Sequence, residues 1–106
     1  MNFDEYQSKA RSTAIYDKLN YRVVYPALGL TGEAGEVAEK VKKKLRGDHE
    51  EFDVEGLEKE LGDVLWYLAN LAEDLGLSLQ TIAEKNIAKL QSRKERGVIH
   101  GSGDAR

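Results

Sequence analysis

The stretch VEGLEKELGDVLWYLANLAEDL, residues 54–75, decides the fold. Leu57, Leu61, Val64, Leu65, Leu68, Leu71 and Leu75 recur at three- and four-residue spacing, the period of one helical face. Gly76 follows as a C′ residue, and Ser78 offers an N-cap for a further helix to about residue 96. Upstream, Pro26 suits a helical first turn; Leu30, Val37, Val41 and Leu45 line that helix, and Gly47-Asp48 stops it. Residues 47–53 read as an acidic loop. A first helix over residues 2–18 carries a weaker stripe of Phe3, Tyr6, Ala10, Ala14 and Ile15, with its exit at Asn20-Tyr21. The tail, residues 97–106, holds three glycines in ten and is not expected to form a helix. The expectation is an all-α, four-helix-bundle-type protomer with short loops, a single domain over residues 1–106.

Composition narrows the function. A chain of 106 residues is long enough for one modest core. With no cysteine, disulfides, thiolate metal sites and cysteine nucleophiles are excluded. A formal charge of −3 speaks against a nucleic acid polymer as partner. No apolar run approaches the ~18 residues of a membrane helix, and Met1-Asn2-Phe3-Asp4-Glu5 lacks the basic start of a signal peptide. A cytoplasmic protein without a membrane partner is expected.

The acids carry the information. Glu33-Ala34-Gly35-Glu36 and Glu60-Leu61-Gly62-Asp63 are two acid-x-x-acid pairs, and i, i+3 spacing puts both carboxylates of a pair on one helix face. Projected from Leu30, Glu33 lies about 60° to one side of the apolar stripe and Glu36 about 120° to the same side. Projected from Leu57, Glu60 and Asp63 repeat those offsets. If the two helices pack antiparallel, four carboxylates converge. Like charges in a partly desolvated site repel, and a hard divalent cation held by oxygen ligands resolves the conflict, which suits Mg²⁺ or Mn²⁺. Gly35 and Gly62 each cost a helix about 1 kcal/mol relative to alanine, which close helix approach would justify. The other reading is two solvated acidic faces.

On the fourth helix, Asn86, Lys89 and Arg93 project within about 40° of Ile82, where further hydrophobics would build a better core. Their donors suit phosphate oxygens, Arg93 as a bidentate fork and Lys89 as a point charge; snorkelling at a bundle edge is the alternative. Trp66 projects nearly opposite the stripe of its helix, with Tyr67 to one side. An indole left outside is expected to be covered by a second subunit, stacking on a nucleobase being the other use. His49 and His100 have no nucleophile pattern beside them. The run Lys40, Lys42, Lys43, Lys44 and Arg46 reads as a solvated face, part of which reaches phosphates if any lie near.

Glu33-x-x-Glu36, 23 intervening residues and Glu60-x-x-Asp63 together resemble the signature of the MazG-like, all-α nucleoside triphosphate pyrophosphohydrolases. The strings Gly29-Leu30-Thr31-Gly32-Glu33-Ala34-Gly35-Glu36-Val37 and Glu60-Leu61-Gly62-Asp63-Val64-Leu65-Trp66-Tyr67-Leu68 are similar to that family, as is Asn86-x-x-Lys89-Leu90-x-x-x-Arg93. The likeness spans about residues 25–96. It departs at Gly32, where the family pattern has the first of two adjacent acids. The resemblance implies hydrolysis of a nucleoside triphosphate between the α and β phosphates, by a dimer or tetramer with sites near subunit contacts. It leaves Glu33, Glu36, Glu60 and Asp63 as the metal quartet for Mg²⁺, or Mn²⁺ in its place. Glu36 is then the expected proton acceptor, with Asn86, Lys89, Arg93, Trp66 and Tyr67 as substrate contacts. Two other classes stay open: a non-catalytic helical interaction module, and another carboxylate-metal protein. No glutamate has a histidine three residues on, which disfavours a ferritin-like di-iron site.

Overall fold

Three of the four helices start where a side chain satisfies their first N–H groups. The computed structural model describes residues 1–16 and 21–106, and among these no strand occurs. The helices are α1 (Phe3–Ser12), α2 (Val24–Leu45), α3 (Val54–Asp74) and α4 (Leu79–Glu95). Asn2 accepts the Glu5 N–H at 2.8 Å while the Glu5 carboxylate reaches back to the Asn2 N–H, a capping box. Asp53 caps α3 through the Gly56 N–H at 3.0 Å, and Ser78 caps α4 through the Thr81 N–H at 3.1 Å. The helix ends agree with the expected ones within two residues, except in α1.

α1 closes at Ser12, well short of residue 18. The Ser12 and Thr13 hydroxyls donate to the carbonyls of Lys9 and Ala10 at 2.6 and 2.7 Å, which competes with helix propagation. The expected continuation through Lys18 and the exit at Asn20 involve residues 17–20, outside the described residues.

α2 has no side-chain cap. Val23, at φ 66° and ψ −54°, occupies a region that β-branched residues seldom enter, and its N–H donates to Asp74 at 2.8 Å. Asp74, the last residue of α3, has a fully buried side chain. It also accepts from the Arg11 guanidinium and from the Tyr16 hydroxyl at 2.8 Å, with Arg22 at 3.5 Å. One carboxylate therefore ties the end of α3 to α1 and to the start of α2. Burial alone would raise its pKa; the Val23 N–H, Arg11 and Tyr16 outweigh burial and hold it below the ordinary range. Burial and the bond to Asp74 push the Tyr16 hydroxyl up to about 12.

α3 is the central element. α2 packs along one face of it and α1 crosses another, while α4 rests on α1 and α3 and packs at most marginally on α2. Ala10, Ala69 and Leu79 form the buried cluster, flanked by Tyr6, Leu65, Trp66 and Leu68. Gln7, itself buried, accepts the Leu79 N–H at 2.7 Å and donates to Glu73 and the Leu77 carbonyl, fastening the start of α4 to α1. The expectation that Trp66 stands outside the chain's own core is corrected here. α1 covers that face, and the indole N–H donates to the Thr13 hydroxyl at 2.8 Å.

The leucine stripe is only partly covered. Leu61 and Leu75 are 57% and 53% exposed, as are Leu28 at 69% and Ile87 at 54%. The accessible surface of 7705 Å² exceeds the roughly 5,900 Å² of a compact monomer of this mass. The radius of gyration of 16.6 Å likewise exceeds the expected value of about 13 Å. The four helices are present, but α4 diverges and the bundle is not closed within one chain. No helix among the described residues is long and apolar enough to cross a membrane.

Asp74→Asn is expected to cost about 3 kcal/mol, read as a lower thermal midpoint. The Asp74 contribution is complete above pH ~4 and lost as pH falls through its depressed folded value. The Tyr16 contribution is complete below pH ~10 and lost as pH rises towards its raised one. The midpoint should therefore hold a plateau between about pH 5 and 9, with a weaker acid limb in Asp74→Asn. Gly29→Ala should cost about 1–3 kcal/mol, because its Cβ would overlap the Tyr67 ring.

Candidate metal centre

Contacts between α2 and α3 run in opposite order along the two helices. Gly29 meets Tyr67, Glu33 meets Glu60 and Asp63, and Lys40 meets Asp53. The pair is antiparallel, so the two acid-x-x-acid motifs face each other across one groove. Glu33, Glu60 and Asp63 each place a carboxylate oxygen within 4.8 Å of the others. Glu33 and Glu60 are half-buried and Asp63 is exposed. Glu36 is exposed and stands outside this group, although its charge reaches Glu33.

The electrostatics show what the cluster lacks. A hydrogen bond with Glu60 raises the Glu33 pKa, followed by burial and the charges of Asp63, Glu60 and Glu36. The nearness of Glu60 and the surrounding negative charges thus disfavour the charged form of Glu33 in the bare site. Three close oxygen donors with no nitrogen or sulfur fit a hard divalent cation, which would relieve that repulsion.

Close approach of the helices comes from a different glycine than expected. Around Gly35 and Gly62 a Cβ would meet nothing within 4 Å, so these positions are open within the chain. Gly29 is the tight one, with the Tyr67 ring lying on its backbone. Tyr67 sits one turn beyond Asp63. Burial raises its pKa first, then the hydroxyl of Tyr25, then the charges of Glu33 and Asp63. Tyr25 tilts against Tyr67 at 6.2 Å between centroids and stacks on Tyr16 at 5.0 Å. Sequence reasoning missed Tyr25; its only signal was a position one turn before Gly29. Trp66 contacts Tyr67 edge-on at 5.0 Å but turns to α1, away from the groove between α2 and α3.

The fourth-helix residues lie apart from the acids' own pair of helices. Asn86 and Lys89 are exposed on α4. Arg93 is buried, and its Nη2 donates to the carbonyls of Gly103 and Asp104 at 3.5 and 2.8 Å. The tail is a set of turns, as its glycines imply, and Arg106 closes it by donating to the carbonyls of Val98, Ile99 and Gly103. The basic run on α2 is mostly a solvated face. Lys42 pairs with Glu39 at 2.8 Å, Arg46 with Asp48 at 2.7 Å, and Lys44 lies over the Phe52 ring.

A 49% identical relative, the Gene 37 protein of Mycobacterium phage L5, aligns over 115 positions that span all of both chains. No solved structure matches. The family model described as the MazG nucleotide pyrophosphohydrolase domain matches residues 26–98, which contain both acidic motifs, Tyr67 and the Asn86, Lys89 and Arg93 stripe. The match covers well over half of the chain, and the chain belongs to the MazG nucleotide pyrophosphohydrolase family.

Proposed function

We propose that the chain hydrolyses a nucleoside triphosphate, ribo- or deoxyribo-, at the α–β phosphate bond, giving the monophosphate and pyrophosphate. The observation that carries this reading is the convergence of Glu33, Glu60 and Asp63 from two helices in a chain of this family. These three residues, with Glu36 as a fourth ligand or as base, would hold Mg²⁺, Mn²⁺ being the substitute. When bound there, the cation neutralises phosphate charge and acidifies the attacking water.

The chain's own residues do the rest. Glu36, exposed beside the cluster, takes the proton from a water whose oxygen bonds to the α-phosphorus. The bond from that phosphorus to the α–β bridging oxygen breaks, and its electron pair leaves with pyrophosphate. Tyr67, at the edge of the acids, is placed to contact the sugar or base. Trp66 acts behind it, through its edge-on contact. Lys89 and Arg93 are assigned to phosphate oxygens, and Asn86 to a phosphate, the sugar or the base. Arg93 is buried beneath the tail, so phosphate would reach it by displacing the Gly103 and Asp104 carbonyls.

The working form is a homodimer or homotetramer. The excess accessible surface of roughly 1,800 Å² per chain is more than twice the ~800 Å² that each partner buries in a standard interface, which is the range of obligate assemblies. A second copy would cover the exposed leucines of α2 and α3, and α4 diverges from α2 as a helix does when it packs on a neighbour. Such an arrangement brings Asn86, Lys89 and Arg93 of one copy to the acids of another.

Glu60→Ala should lower Mg²⁺-dependent pyrophosphate release from nucleoside triphosphates by more than about 100-fold while the helical circular dichroism is kept. Full release by that variant, or no release by the wild-type chain from any triphosphate, would favour a non-catalytic interaction module. Sedimentation at micromolar concentration should give a mass of two or four chains; a monomer of 11.9 kDa with full activity would overturn the assembly.

A further inference from the structure

The tail folds back on α4 instead of trailing from it. Gly97, at φ 73°, reverses the chain, and the Val98 N–H donates to the Arg93 carbonyl at 2.9 Å. The Gly101 N–H donates to the Val98 carbonyl at 3.1 Å, and Gly103, at φ 86°, makes a second reversal. Arg106 closes the segment into a ring. Its Nε donates to the Val98 carbonyl at 2.9 Å, its Nη1 to Gly103 at 2.7 Å and its Nη2 to Ile99 at 3.1 Å. The ring rests on Arg93, whose Nη2 donates to the Asp104 carbonyl at 2.8 Å and the Gly103 carbonyl at 3.5 Å. Beneath it Arg93 is 4% exposed, whereas Asn86 and Lys89 on the same helix stay open to solvent.

This contact is suited to exchange. A guanidinium bonds charged oxygens about twice as strongly as neutral carbonyls. Here the acceptors on Nη2 are backbone carbonyls, and the Asp104 carboxylate stands 3.8 Å away with its side chain in solvent. Little apolar surface backs the ring: Val98 is half-buried, while Ile99 and Ala105 are exposed. The segment is held closed by a few polar bonds near water, so it opens at far lower cost than the helices do.

Resting on the pyrophosphohydrolase reading, we propose that residues 97–106 form an autoinhibitory latch. In the free chain the carbonyls of Gly103 and Asp104 take the guanidinium edge of Arg93 that phosphate oxygens would take. Tail and triphosphate compete for that edge, and the triphosphate engages Arg93 only when the ring has swung off α4. The apparent affinity is that of the open chain reduced by the fraction of chains that are open. Arg106, which touches no ligand, thereby sets how much of the chain is ready to bind.

The test reads ligand and tail separately, on the full chain in Mg²⁺. Two variants open the ring by different means: Arg106→Ala removes the closing side chain, and Gly103→Ala places a Cβ on backbone at φ 86°. In calorimetric titration each should bind inorganic pyrophosphate about fivefold more tightly than wild type. That is the change expected when closed chains outnumber open ones by about four to one and the variants stay open. In wild type, saturating pyrophosphate should speed amide hydrogen exchange over residues 98–106. Variants that bind pyrophosphate as wild type does or more weakly, or a tail that stays protected in the complex, would overturn the latch while Mg²⁺-dependent hydrolysis stands. No pyrophosphate binding by wild type or either variant, with no triphosphate hydrolysed, would overturn the underlying reading as well.

Discussion

The buried carboxylate of Asp74 is the constraint on which the arrangement rests. It closes α3, receives Arg11 and Tyr16 from the α1 side, and holds the N–H of a strained Val23 at the start of α2. Removing one partner of a buried charge leaves the other uncompensated, so these groups stand or fall together. Their consequence reaches the groove. α2 has no cap of its own, and its starting point against α3 is set by that N–H bond. The register then seats Gly29 under Tyr67 and, one turn on, Glu33 opposite Glu60 and Asp63. The knot at one end of α3 thus positions the acids in its middle.

Two deficits of the single chain point outward. The fully buried apolar residues are few and mostly small, while Leu28, Leu61 and Ile87 remain largely in solvent. The acids at the groove crowd like charge together, and Glu60, Asp63 and Glu36 all raise the pKa of Glu33. Apolar surface calls for another protein surface, and clustered carboxylates call for a cation. The same pair of helices carries both needs, which is why assembly and metal binding are proposed on α2 and α3 together.

Tyr67 and Trp66 show how neighbouring residues on a central helix serve different partners. A step of about 100° turns Tyr67 towards α2 and the acids, and Trp66 towards α1. The T-shaped contact between them couples the groove to the buried cluster of Ala10, Ala69 and Leu79. Groove and core are therefore not independent, although no side chain of the acid cluster belongs to the core.

Local chemistry determined much of this protein by itself. The three- and four-residue apolar period, Ser78 as a cap, and Gly47, Gly76 and Gly97 at helix ends were legible because each acts within a few residues. The matched offsets of Glu33, Glu36, Glu60 and Asp63 were legible for the same reason, since a helix fixes angles about its own axis. What lay between elements was not. Which acids meet, with Glu33, Glu60 and Asp63 together and Glu36 outside, depends on the α2–α3 register. That register rests on an Arg11, Tyr16, Val23 and Asp74 network spanning more than fifty positions of sequence. The cover over Trp66 likewise required α1 to end at Ser12 and cross α3, and the capture of Arg93 by Gly103 and Asp104 required the tail to turn back. Helical periodicity states where a side chain points around its own axis; only the packed helices decide what stands opposite it.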